Sequence, residues 1–351
     1  METTAKYDAV LKELLSKLPN LIVTDSRTNV LIAGRLRDLE IVVSNNGVQY
    51  ELVVEVKSSG KPSAIKTAIS SLSEFVVRGQ PSRLYTVLAV PYVSEMGIQV
   101  CKDAGLGCVD LSGNCYLNFD SIYIETKGNP NPLPSTPRLS LFSPKSSRIS
   151  RVILCNISKM WQVQSLAGEA SVSMGLASRI KRELIEEGYI AEENRLLKLI
   201  APTRLLEAWS NNYTYKRNKI KEYYSPLDSM SLEREIQTYC AKNNIMYALT
   251  LFSGASRVSP HVRINKSFIY VERGFADLEA VLGLKPSPSG SNLMLLEPYD
   301  RGVFYKPQNI GQDIVVSNVQ LYLDLKRYKG RGDEAAEFLR KVNSEFQWME
   351  N

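Results

Sequence analysis

The chain has one histidine in 351 residues, His261. A single histidine supplies Ser-His-Asp and Cys-His nucleophilic chemistry poorly. It follows Pro260 in a polar stretch, where a surface side chain is expected. Cysteine is also scarce: five residues, thinly spread and odd in number, which suits reduced thiols better than a disulfide framework. Cys101, Cys108 and Cys115 fall seven apart and lack the close cysteine pairs of structural zinc sites, so zinc is not expected. Long apolar runs are missing too. No window nears the roughly 20 apolar residues of a membrane span. The N-terminal METTAKYDAVLKELLSKL carries acids and lysines throughout. It reads as an amphipathic helix burying Val10, Leu11, Leu14, Leu15 and Leu18, not as a signal peptide. A cytoplasmic protein without membrane partners is expected. Aspartate is absent from Arg138 to Lys221, where 15 Lys and Arg face only 7 Glu. The whole chain carries only +6, so the positive charge is concentrated in its middle third. That is the footprint of a phosphate-backbone contact, although a randomly basic soluble segment would give the same count.

What is present is an α/β pattern interrupted once. In residues 1–128, strand-like LIVTDSRTNVLIAGR, LRDLEIVVSNNGVQYELVVEVK and LYTVLAVPY alternate with helical PSAIKTAISSLSEFVVR and SEMGIQVCKDAGLG. Asn46-Gly47 marks a hairpin. The helix from Pro62 turns Ile65, Ala68, Ile69 and Leu72 to one side, and GCVDLSGNCYLNFDSIYIETKG supplies further strands. Helices interleaved with buried strands predict a mixed sheet. Residues 129–145 are rich in proline, serine and asparagine and read as a linker. A helical module over 146–203 follows. Residues 204–351 return to α/β: a helix and a basic, tyrosine-rich connector (TRLLEAWSNNYTYKRNKIKEYY), strands in MYALTLF, SFIYVE and NLMLLEP, and two terminal helices.

The module at 146–203 has the parts of a DNA reader. A first helix carries Ile149, Val152, Ile153 and Ile157, and a short helix SLAGEA follows. A longer helix begins after Ser173 and is closed by Gly188. On it Leu176, Ala177, Ile180 and Leu184 share one face, while Ser178, Arg179, Lys181 and Arg182 are left for the other. Tyr189-Ile190 and Leu196 to Ile200 can pair across a turn that ends at Arg195. A helix buried on one face and lined with Ser, Arg and Lys on the other is what major-groove insertion requires, and Ser173 can cap its N-terminus beside a phosphate. SLAGEASVSMGLASRIKRELIEEGYI strongly resembles the winged helix-turn-helix domains of bacterial and archaeal regulators. That resemblance implies binding of double-stranded DNA, with Ser173, Ser178, Arg179, Lys181, Arg182 and Arg195 in contact. A winged helix used for protein contacts is the alternative.

In the first domain, YELVVEVKSSG places Glu55 and Lys57 on one side of a strand by period-two alternation. Asp38, across the Asn46-Gly47 turn, can stand beside Glu55. An acid 17 residues before E-x-K resembles the PD-(D/E)xK superfamily of restriction-endonuclease-like folds. The resemblance implies that Asp38 and Glu55 bind Mg²⁺, that Lys57 polarises water or the scissile phosphate, and that Glu13 matches an upstream acid used by some members. Arg37 stands where the motif has proline. The other reading of Glu55 and Lys57 is an ion pair on a solvated strand face. Asp110 and Asn114 read as turn formers.

Near the C-terminus, VQLYLDLKRYKGRGDEAAEFLRK resembles the antitoxin and regulator proteins of abortive-infection, type IV toxin–antitoxin systems, and so implies a cognate toxin as partner. The expectation is an α/β, DNA-binding regulator, able to form a homodimer, with a nuclease-like first domain. The alternative is an active Mg²⁺-dependent endonuclease.

Overall fold

The structure, a computed structural model, describes residues 2–32, 34–76, 83–131, 141–258, 266–287 and 289–342. His261 and residues 132–140 of the expected linker lie outside these residues. The chain divides into two compact units, Met1–Arg138 with Glu186–Gly188, and Leu139–Ile185 with Tyr189–Asn351.

In chain order the first unit holds α1 (Glu2–Ser16), β1 (Leu21–Ile32), β2 (Arg35–Asn45), β3 (Val48–Val56), α2 (Pro62–Val76), β4 (Leu84–Val90), α3 (Glu95–Asp103), β5 (Gly107–Asp110), β6 (Cys115–Phe119) and β7 (Ile122–Thr126). The seven strands form one sheet in sequence order. Asn46 and Gly47 take left-handed φ angles of +50° and +85°, which match the twist of a two-residue hairpin, and β2 and β3 pair antiparallel around them. Strands β3, β4 and β5 are parallel, so each link needs a crossover, and α2 and α3 provide them. Alternation splits the apolar residues between two faces. Leu39, Ile41, Leu52, Val54, Val87 and Ala89 pack with Tyr7, Leu11, Leu14 and Leu15 of α1. Leu88, Val90, Cys108 and Tyr116 pack with Ile65, Ala68 and Leu72 of α2 and Ile98 of α3. The predicted helix faces are therefore found, with Tyr7 added to α1.

The Ser-Ser-Gly break after β3 has a steric cause. A Cβ on Gly60 would lie 1.9 Å from the Tyr92 carbonyl oxygen, so only glycine lets the chain pass there. Asp110, fully buried at the end of β5, accepts from the N–H groups of Val93 (3.0 Å), Ser112 (2.8 Å) and Asn114 (2.9 Å) and from Asn114 Nδ2 (2.8 Å). It forms the expected turn and also holds the loop after β4.

The second unit contains α4 (Pro144–Leu154), α5 (Val163–Glu169), α6 (Met174–Glu186), β8 (Ile190–Glu193), β9 (Leu196–Leu199), α7 (Pro202–Asn212), β10 (Lys219–Tyr224), α8 (Ser229–Lys242), β11 (Tyr247–Leu249), α9 (Leu251–Val258), β12 (Ser267–Val271), α10 (Phe275–Leu282), β13 (Lys285–Pro286), β14 (Leu293–Glu297), β15 (Gln308–Ile310), β16 (Asp313–Val315), α11 (Asn318–Lys326) and α12 (Gly332–Val342). A seven-stranded mixed sheet runs β13-β10-β14-β12-β11-β16-β15. One hydrophobic core joins Ile149, Ile180 and Leu184 to Trp209, Ile269, Leu295, Leu323 and Leu339.

Two sequence expectations change here. The basic connector KIKEYY is strand β10, paired antiparallel with β14. Its lysines obscure the alternation because they are used in ion pairs, Lys219 with Glu297 at 2.9 Å and Lys221 with Glu279 at 2.7 Å. The strand predicted through MYALTLF ends at Leu249. Leu251 turns the chain with φ +46°, and α9 begins. The turn is held by polar groups: Thr250 donates to Asp324 Oδ2 at 2.6 Å, and Ser253 accepts from the Phe268 N–H at 2.9 Å.

Candidate nucleic-acid interface and strand-end acidic site

Helix α6 forms as its sequence dictates. Ser173 Oγ accepts from the Leu176 N–H at 3.3 Å, giving one free amide of the first turn a partner. Gly188 closes the helix with φ +69°, and the Tyr189 N–H returns to the Leu184 carbonyl at 2.9 Å. Leu176, Ala177, Ile180 and Leu184 are buried, whereas Ser173, Ser178, Arg179 and Arg182 are exposed. Strands β8 and β9 pair with Ile190 opposite Leu199, across a turn in which Asn194 (φ +51°) and Arg195 (φ +64°) are both left-handed. Arg195 is exposed at the tip. Trp161 adds a bridge to Leu197, with N–H···O bonds of 3.0 and 2.8 Å. The sequence reading missed this residue; an isolated tryptophan between two helical patterns was its only signal. The first helix ends at Leu154, so Ile157 packs from the following loop.

The positive charge of this segment divides into spent and exposed groups. Arg148 pairs with Asp300 at 2.9 Å and Lys181 with Glu192 of β8 at 2.6 Å. Arg151 is buried in the core. Lys181 thus ties α6 to the hairpin. Arg179, Arg182, Arg195 and Lys198 remain exposed on α6 and the hairpin. Pairing turns part of the basic count inward; four exposed cations stand on these two elements, and Lys145, Lys159, Lys216 and Arg217 are exposed elsewhere in the segment.

In the first unit the strand register places two of the three acids named from the sequence at one strand end. The β2–β3 register pairs Leu39 with Val54, which brings Asp38 and Glu55 to the same strand end. Asp38 Oδ2 accepts from the Val56 N–H at 2.8 Å. Lys57 Nζ lies 2.8 Å from Glu55 Oε1, and Arg37 Nη1 lies 3.3 Å from Oε2. Arg37, 5 % exposed and standing where the motif has proline, is a second cation on the glutamate, a pairing the sequence reading missed. Glu13 is not brought in. It pairs with Lys17 at 3.3 Å, its side chain 73 % exposed, and among the described residues no three His, Cys, Asp or Glu side chains gather as if around one metal.

The two carboxylates nonetheless fit Mg²⁺ in their chemistry. That ion commonly takes only one or two protein carboxylates and completes its shell with water and substrate phosphate. Asp38 and Glu55 would hold it.

Residues 198–344 match the family model described as transcriptional regulator, AbiEi antitoxin, type IV toxin–antitoxin system. No curated protein and no solved structure matches the chain.

Proposed function

We propose that the chain is a double-stranded-DNA-binding transcriptional regulator of antitoxin type, and that α6 enters the major groove while the β8–β9 hairpin lies against the backbone as a wing. The observation that carries this is α6 itself. Its apolar face is fully used in the core, and its other face offers Ser178, Arg179 and Arg182 to solvent next to a hairpin tipped by Arg195. Arginine on an exposed helix face suits bidentate contact with guanine and with phosphate. Ser173, at the helix N-terminus, suits a phosphate contact. Lys181 acts in this reading by fixing the wing through Glu192. The matched family supports the regulatory role and makes a toxin protein the expected partner; a homodimer would read a two-fold DNA site. The five cysteines are free thiols, as in a reducing cytoplasm. No helix among the described residues is long and apolar enough to cross a membrane.

Gel shifts on duplex DNA from upstream of the chain's own coding sequence test the reading. Arg179→Ala with Arg182→Ala is expected to weaken binding by about tenfold or more, and wild-type affinity should fall steeply with salt. A folded double variant that binds as tightly as wild type would sink the proposal.

A second reading is favoured by the meeting of Asp38, Glu55 and Lys57 at one strand end: the first unit cleaves phosphodiester bonds with Mg²⁺. The metal would supply Lewis-acid stabilisation of the phosphate. Asp38 and Glu55 would bind it, and Lys57 would polarise the attacking water or the scissile phosphate. In this reading, Mg²⁺ or Mn²⁺ should support nicking of supercoiled plasmid and Lys57→Ala should abolish it. If wild type leaves plasmid and branched DNA intact, Glu55 and Lys57 are an ion pair that closes the strand end.

A further inference from the structure

We infer that the second unit holds a binding site for a small organic anion with an apolar body, in a cavity of about 300 Å³ bounded by α4, α5 and residues 301–305. Its anchor is Arg151. This side chain is 2 % exposed and lines the cavity. Its Nη2 donates to Gln320 Oε1 at 2.6 Å, and its guanidinium lies 4.9 Å from the centre of the Trp209 ring. Its Nε is buried without a hydrogen-bond partner. Both of its identified partners, an amide and an indole, are neutral. A buried guanidinium without an anion is costly, and one donor left unmade adds to the cost. Nothing in the DNA-binding reading uses this group.

The other cations of the cavity differ in this respect. Arg148 Nε reaches both oxygens of Asp300, at 2.9 and 3.0 Å, and Arg301 pairs with Glu272. Their charges are answered within the protein by ion pairs, and Arg151 is the cation of the wall that has none among the described residues. Glu169, held by Tyr305 Oη at 2.7 Å, adds a negative charge to the wall and disfavours a ligand with several anionic groups. Val152, Met246, Phe304 and Tyr305 supply the remaining surface, which suits an aliphatic or aromatic body. The volume is at the small end of ligand pockets. The fit is therefore a compact molecule with one carboxylate or one phosphate monoester head. Gly302 packs close to the guanidinium: a Cβ there would stand 2.6 Å from Arg151 Nη1 and 2.7 Å from Asp300 Oδ1, so a larger residue would push these side chains aside.

Isothermal titration calorimetry on the full chain tests the site, with benzoate, AMP and inorganic phosphate as probes. Benzoate or AMP is expected to bind one per chain, which of the two binds distinguishing a carboxylate from a phosphate head. Arg151→Gln should weaken that binding by about tenfold or more. Because Arg151 is buried and its variant can fail to fold, Met246→Glu provides a second arm. Met246 is 37 % exposed at the cavity wall, and a carboxylate there should repel the probe by a similar factor. The inference is overturned if neither benzoate nor AMP binds wild type at millimolar concentration, if phosphate alone binds, or if Met246→Glu binds benzoate and AMP as wild type does.

Discussion

Asp324→Ala is expected to destabilise the second unit by about 3–5 kcal/mol, among the largest effects available to a single substitution. Asp324 is fully buried and organises a polar cluster inside the core. Its Oδ1 accepts from Tyr213 Oη at 2.5 Å, Tyr270 Oη at 3.1 Å and Gln320 Nε2 at 3.0 Å. Its Oδ2 accepts from Thr250 Oγ1 at 2.6 Å. Alanine removes the acceptor and leaves these donors buried. The two tyrosine hydroxyls, 3.5 Å apart, can satisfy each other only weakly, and Gln320 keeps its bonds to Arg151 and Tyr213. Urea unfolding followed by circular dichroism measures the loss; a change below about 1 kcal/mol would show that the cluster is dispensable.

The same carboxyl gives the pH dependence a sign. Burial pushes Asp324 above its ordinary value, against the hydrogen bonds that lower it. The folded protein therefore holds this proton in a range where the unfolded chain has lost it. Its contribution to stability is fully present below the ordinary carboxylate value and is lost as pH rises through the raised one. Wild type compared with Asp324→Asn should lose relative stability over that window as pH increases.

Asp110→Ala should cost the first unit a comparable amount, about 3–5 kcal/mol, because three backbone N–H groups and one side-chain amide lose a charged acceptor together. Asp110→Asn keeps the shape but turns an amide toward the same donors, so it should still destabilise. Hydrogen exchange localises the effect: peptides spanning Leu84–Val90 and Gly107–Phe119 should lose protection, while those of α11 should not. Equal protection in variant and wild type would reduce Asp110 to an ordinary turn residue.

Local rules made much of this molecule readable in advance. Asn46-Gly47 can close a hairpin because both residues tolerate positive φ. Ser173 and Gly188 bound α6 because the chemistry of helix ends is carried by adjacent residues. Period-two and helical spacing found the faces of α1, α2 and α6, since burial there depends on position along one element. The readings that changed depended on partners distant in sequence. KIKEYY became a strand once Glu279 and Glu297 accounted for its lysines, and MYALTLF was cut short by Thr250 meeting Asp324 and Ser253 meeting Phe268.

The candidate sites divide in the same way. The sequence by itself determined the exposed residues of α6, and it brought Asp38 to Glu55, because helix period and hairpin register are local geometry. Only the tertiary structure decided that Arg37 shares Glu55 with Lys57, that Glu13 stays apart with Lys17, and that Arg148 and Arg151 point into the protein instead of toward a nucleic acid. A charge count cannot distinguish a solvated arginine from a buried one. The energy of a charge depends on the dielectric and the partners around it, and those are supplied by residues distant in sequence, the carboxylate of Asp300 for Arg148 and the neutral amide of Gln320 for Arg151.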